Sequence, residues 1–78
     1  MKIEIYTKEN CPFCTRAKDL IEFLQPEEFI QYKLGEDFTR EELIARIPEA
    51  TKYPQIIIDG RVVGGYEDLV REMEPDTH

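Results

Sequence analysis

Residues 55–63 hold two β-branched runs, Gln55-Ile56-Ile57-Ile58 and Arg61-Val62-Val63, with only Asp59-Gly60 between them. A two-residue Asp-Gly link is a strong hairpin signal, because a type I′ turn needs positive φ at both central positions and these residues tolerate it. One antiparallel pair is therefore expected late in the chain, and every other element must pack around it.

The preceding residues supply the other elements. Ile3 and Ile5 alternate with Lys2, Glu4 and Tyr6, a period-two strand over about residues 2–7. Phe13, Ala17, Leu20, Ile21 and Leu24 then recur at helical spacing. Asn10 or Cys11 can cap that helix, Pro12 suits its first turn and Pro26 ends it. Phe29 to Leu34 reads as a second strand stopped by Gly35. Thr39-Arg40-Glu41-Glu42 has the capping-box pattern, Leu43, Ile44 and Ile47 give a short helix its apolar side, and Pro48 closes it. After the hairpin, Gly64-Gly65 should break the sheet, and Tyr66, Leu69, Val70 and Met73 mark a last helix. The tail from Pro75 to His78 is expected to fray.

The order is βαβαββα. A strand, a helix and a strand in succession favour a right-handed parallel crossover, so adding the hairpin makes a mixed four-stranded α/β sheet flanked by helices. With 78 residues and no linker or repeat, the chain fits a single domain spanning 1–78. No apolar run approaches the roughly 18 residues of a membrane span, and the start of the chain lacks a signal-peptide core. These features point to a soluble, cytoplasmic protein.

Net charge is −7, which repels nucleic-acid phosphates and anionic membranes over most of the surface. The balance is uneven, however. Residues 1–18 carry four basic and two acidic side chains and residues 52–64 two and one, while the remaining segments are acidic.

Both cysteines fall in Cys11-Pro12-Phe13-Cys14, at the expected start of the first helix. A secreted disulfide scaffold of this size would more often carry four to eight cysteines at wide spacing. Tetrahedral zinc needs about four ligands, and His78 is the only histidine. The pair instead reads as redox chemistry. Unpaired N–H groups and the helix dipole favour a thiolate at Cys11, while Cys14 lies one turn further in. Cys11 is the expected nucleophile and Cys14 the residue that resolves the mixed disulfide.

Three segments resemble the dithiol glutaredoxins of the thioredoxin superfamily, and the likeness covers nearly the whole chain. Cys11-Pro12-Phe13-Cys14-Thr15-Arg16-Ala17-Lys18 looks like that family's active-site helix, Tyr53-Pro54-Gln55-Ile56 its cis-proline segment, and Gly64-Gly65-Tyr66-Glu67-Asp68-Leu69 its glutathione-binding turn. The resemblance implies a thioredoxin-like fold and glutathione-dependent thiol–disulfide exchange. It also implies a cis Tyr53-Pro54 bond, where spacing alone would favour trans. Glutathione is the implied reducing cosubstrate, with no permanently bound cofactor. Implied partners are disulfide-containing proteins, with ribonucleotide reductase the family's familiar acceptor, and the implied state is a monomer.

The glutathione site implied by this likeness comprises Lys8, Phe13, Lys52, Tyr53, Pro54, Gly65, Tyr66 and Asp68, with Arg16 a further nearby cation. Glutathione has two carboxylates and one amine, so an acidic protein that binds it needs local cations, and Asp68 can meet the amine. Phe13 stands where the family often has Tyr, and Lys52 where it commonly has Thr. Two other readings belong with this one: a thioredoxin-like donor recycled directly by a reductase, and an iron-sulfur-binding glutaredoxin, against which Pro12 argues.

Overall fold

A computed structural model describes residues 1–73, so the expected fraying of residues 75–78, His78 included, lies outside the described residues. The elements run β1 (Lys2–Thr7), α1 (Pro12–Leu24), β2 (Glu28–Lys33), α2 (Arg40–Arg46), β3 (Gln55–Ile58), β4 (Arg61–Gly64) and α3 (Tyr66–Met73). This is the βαβαββα order read from the sequence, in a thioredoxin-like fold. The sheet order is β2-β1-β3-β4, with β1–β2 parallel and the β1–β3 and β3–β4 pairs antiparallel. No helix among the described residues is long and apolar enough to cross a membrane.

The hairpin forms as its turn residues dictate, with Asp59 at φ 50° and Gly60 at φ 81°. Asp59 also ties the turn to β1: its Oδ1 accepts from the Lys2 N–H at 2.8 Å, and its own N–H donates to the Lys2 carbonyl at 2.8 Å. Gly64, expected to interrupt the sheet, still pairs with Ile56. A register shift between Ile56 and Ile57 absorbs one extra residue and carries β4 back into the ladder.

The sheet is covered on both faces. Ile3, Ile5, Ile56 and Ile58 meet Ala17 and Ile21 of α1 and Leu69 of α3. On the other face Tyr6 and Ile57 pack with Phe38, Leu43, Ile47 and Ala50. Each buried isoleucine or leucine contributes about 1.5–3 kcal/mol, so the alternating β1 pattern is anchored from above and below.

Glu4 belongs to the second face and is only 5% exposed. Its carboxylate accepts two parallel hydrogen bonds from Arg46, at 2.9 Å each, and one from the Tyr32 hydroxyl at 2.8 Å. Arg46 Nη1 also donates to the Tyr6 hydroxyl at 2.8 Å. The last residue of α2 is thus clamped to the middle of the sheet. These hydrogen bonds, chiefly from Arg46, hold the Glu4 carboxyl below its ordinary range although burial opposes them. Burial first, and then Glu4, push the Tyr32 hydroxyl up.

Candidate active site

The end of β1 delivers the chain to the sulfurs. After Thr7 the backbone turns through Lys8, Glu9 and Asn10, the last at φ 54°, and Cys11 becomes the N-cap of α1 with φ −120° and ψ 96°. Pro12 occupies the first turn, where its missing N–H leaves no bond unmade. The Cys14 N–H donates to Cys11 Sγ at 3.2 Å, and the Thr15 N–H donates to the Cys11 carbonyl at 3.2 Å. No acidic side chain lies in this first turn. An electron-rich sulfur at Cys11 therefore meets a hydrogen-bond donor and the positive end of a helix without a competing carboxylate.

Cys11 and Cys14 are joined as a disulfide, with Cα atoms 5.2 Å apart. Cys11 is partly exposed, whereas Cys14 is buried at 2%. Cys11 is thus the more accessible of the two sulfurs, as its place at the start of the helix leads one to expect.

One hollow beside Cys11 is lined by Lys8, Phe13, Arg40, Thr51, Lys52 and Tyr53. A smaller cleft adjoins it, with Phe13, Lys52, Tyr53, Pro54, Tyr66 and Glu67 on its walls. Phe13 and Tyr66 face each other at 5.9 Å between ring centroids, and the Arg16 guanidinium lies 5.3 Å from the Phe13 centroid. The Lys8 ammonium sits 5.7 Å from the centroid of Tyr53. Tyr53-Pro54 is cis, as the family likeness implies. Gln55 Nε2 donates to the Lys52 carbonyl at 2.7 Å, which pins the segment leading into that bond.

Gly64 and Gly65 are where α3 comes close. Gly64 has φ 119°, and a Cβ there would run into the Asp68 carboxylate. At Gly65 a Cβ would lie 3.3 Å from Lys52 Cε and 3.6 Å from the Pro54 carbonyl oxygen. Asp68 Oδ2 accepts from the Gly65 N–H at 3.0 Å, and Asp68 Oδ1 is 3.6 Å from Arg71 Nη1. Asp68 therefore caps the start of α3. It opens on a neighbouring groove with Lys52, Gly64, Gly65 and Arg46, outside the cleft of Phe13 and Tyr66.

The glutaredoxin family model matches residues 3–63. The chain belongs to the glutaredoxin family. Glutaredoxin 3 of Escherichia coli is 44% identical over 68 residues, which cover 86% of this chain and 80% of that protein. A probable glutaredoxin of Synechocystis sp. is 41% identical over 69 residues, spanning 87% of this chain but only 62% of that relative. Among solved structures, reduced Escherichia coli glutaredoxin superposes with a TM-score of 0.79 at 32% identity, covering 92% of each chain. With its Cys11–Cys14 pair, this is a dithiol glutaredoxin of the thioredoxin superfamily and a disulfide oxidoreductase.

The glutaredoxin fold thus brings Lys8, Phe13, Lys52, Tyr53, Pro54 and Tyr66 into the two hollows near Cys11, with Gly65 packed against Lys52 and Pro54. Sequence reading missed Arg40 and Thr51, which share the hollow of Cys11. Arg40 was legible only as the first residue after a helix cap, and its proximity to Cys11 depends on how α2 crosses the sheet. Lys18 and Lys33 were also missed, although Lys18 stands only about two helical turns from Cys11 and its spacing could have found it. They line a second hollow on the Cys14 side, and Lys33 reaches it through the pairing of β2 with β1.

Proposed function

We propose that this glutaredoxin reduces protein disulfides and glutathione mixed disulfides, with glutathione as the reductant. The observation that carries this reading is the hollow that holds partly exposed Cys11 together with Lys8, Arg40 and Lys52 on a protein of net charge −7. Three cations beside a sulfur suit a small peptide with two carboxylates and one thiol, and Phe13 offers apolar surface beside them. The cis-proline segment, bordered by Lys52 and Tyr53, presents backbone along which an extended peptide can align.

In the proposed cycle, the Cys11 thiolate attacks one sulfur of the substrate disulfide. A bond forms between Cys11 and that sulfur, and the other substrate sulfur leaves as a thiolate that takes a proton. The Cys14 thiolate then attacks Cys11 Sγ, releasing the second substrate thiolate and closing the Cys11–Cys14 disulfide. The substrate has gained two electrons and the dithiol has lost two. Two glutathione molecules restore the dithiol and leave as glutathione disulfide. For a glutathione mixed disulfide, Cys11 attacks the glutathione sulfur and a second glutathione can resolve the adduct. The same reading places a monomeric, single-domain protein in the cytoplasm, where the glutathione pool is kept reduced.

Turnover of a glutathione mixed disulfide, coupled through glutathione reductase to NADPH oxidation, tests this proposal. A rate that rises with glutathione and with enzyme is expected. Absence of glutathione-dependent turnover, with efficient reduction of the Cys11–Cys14 disulfide by a thioredoxin reductase, would overturn it.

A further inference from the structure

A second hollow meets the dithiol from the side away from Phe13 and Tyr66. Cys11, Cys14 and Lys18 fall at positions i, i+3 and i+7, on one face of α1, and all three line it. Lys33 joins them from the end of β2, because its register partner on β1 is Thr7, the residue before the loop to Cys11. The hollow is polar, with Thr15 and Asn10 on its wall.

Its charge is unusual for this chain. Lys8, Lys18, Lys33, Arg40 and Lys52, five of the ten basic residues, line the two hollows that share Cys11. Glu9 is the only acidic residue, of seventeen in the chain, that lines either one among the described residues. Glu9 is itself held by Lys33 at 3.0 Å, and Lys33 also meets Glu36 at 3.9 Å. Among the described residues, no carboxylate lies within ion-pair distance of Lys18 or Lys8. Lys18 is also partly buried, so its charge is less screened than that of a fully exposed lysine.

We propose that the hollow formed by Lys18 and Lys33 receives an acidic segment of the protein substrate, next to the disulfide being reduced. This deepens the function proposed above and rests on it: with glutathione on the Lys8, Arg40 and Lys52 side, the Lys18 side remains for the protein. The seven-residue offset from Cys11 to Lys18 corresponds to about 10 Å along the helix. An extended peptide covers that distance in about three residues. The favoured substrate therefore carries Asp or Glu within about three positions of its reactive cysteine, and its carboxylate competes with Glu9 for Lys33.

The test uses protein reduced beforehand and freed of reductant, in a single turnover without glutathione. The probes are three synthetic peptides, each with one internal disulfide flanked by two Glu, two Ser or two Lys residues. At low salt the Glu peptide should react about three- to ten-fold faster than the Ser peptide, with the Lys peptide slowest, and added salt should narrow the spread. In the Lys18→Gln/Lys33→Gln double variant the Glu-to-Ser rate ratio should fall towards 1. A ratio of 1 or less in the unaltered protein, or an unchanged ratio in the double variant, overturns the proposal. Because glutathione is absent, this outcome is separate from whether glutathione is the reductant, which the coupled assay decides.

Discussion

The backbone N–H of Cys14 donates to the sulfur of Cys11 across 3.2 Å, so the buried cysteine supports the exposed one through its peptide group. That support survives when the Cys14 side chain is changed to Ser. Cys11 in the Cys14→Ser variant should accordingly titrate below the free-cysteine value of about 8.5, with Lys8 and the α1 terminus adding to the effect. Thiolate absorbance in the ultraviolet against pH measures it, and a value at or above 8.5 would remove the helix-terminus argument.

Cys11→Ser should abolish every thiol-exchange activity. Cys14→Ser should retain reduction of glutathione mixed disulfides, where free glutathione resolves the adduct, and lose most reduction of internal protein disulfides. Parallel assays of both variants on both substrate types check the order of attack. Equal loss in the two variants would reverse or erase the assigned roles.

Lys52→Glu and Lys8→Glu should each raise the KM for glutathione several-fold, with the effect shrinking as salt increases. Each contact is exposed and worth about 1 kcal/mol or less, so larger losses are not expected. Asp68→Ala should lower stability by about 1 kcal/mol because it deletes the acceptor for the Gly65 N–H, and it should raise KM only modestly, through the loosened Gly64-Gly65 turn beside Lys52 and Pro54, since Asp68 itself lies outside the cleft. Steady-state kinetics beside thermal melts separate the two consequences.

The Glu4–Arg46 clamp makes a pH-dependent contribution to stability. Glu4 has a depressed pKa in the folded protein, so the clamp acts fully above the unfolded carboxyl value of about 4.3 and is lost as pH falls through the lower folded value. Glu4→Gln should cost about 2 kcal/mol at pH 7. This is less than for a fully buried pair, because the Arg46 side chain is 40% exposed and water can take up its freed charge. Denaturant unfolding at pH 7 and pH 3 should show the gap between the two proteins closing at the lower pH.

Tyr53 carries a buried hydroxyl that meets no hydrogen-bond partner among the described residues. Tyr53→Phe should raise stability by about 1 kcal/mol, since the ring stays beside Phe38 and the unsatisfied oxygen disappears. A lower denaturant midpoint would reveal a partner for that oxygen.

Local signals were the legible ones. The Asp59-Gly60 turn, the Thr39 capping box and the dithiol helix each follow from residues within about one turn of one another, and each formed where read. Glu4 is different. Its place in an alternating strand is compatible with either a solvated or a covered second face, and only α2 folding over the sheet decides that it is buried against Arg46. Gly64 looked like a strand end because a glycine pair interrupts the β-branched run, but the register shift at Ile56/Ile57 lets it continue the ladder. Within the site, Phe13, Tyr53 and Tyr66 could be named from motifs, and Lys8 from the uneven distribution of charge. Lys18 lies about two turns along the dithiol helix and was reachable from that spacing. Arg40 and Lys33, by contrast, sit in sequence surroundings common to surface cations, and only the convergence of α2 and β2 near Cys11 sets them apart.

β1 is the first strand in chain order and an inner strand of the sheet. Its parallel neighbour begins at Glu28, but its antiparallel neighbour begins only at Gln55. During synthesis, β1, α1 and β2 can associate while the other edge of β1 still lacks its partner. At that stage the cysteine pair already heads its helix, whereas Lys52, Tyr53 and Pro54 have not yet been added to the chain. The nascent chain therefore carries both sulfurs before it carries Lys52 and Tyr53, and the hollow beside Cys11 gains that wall only once the segment leading into β3 has been added.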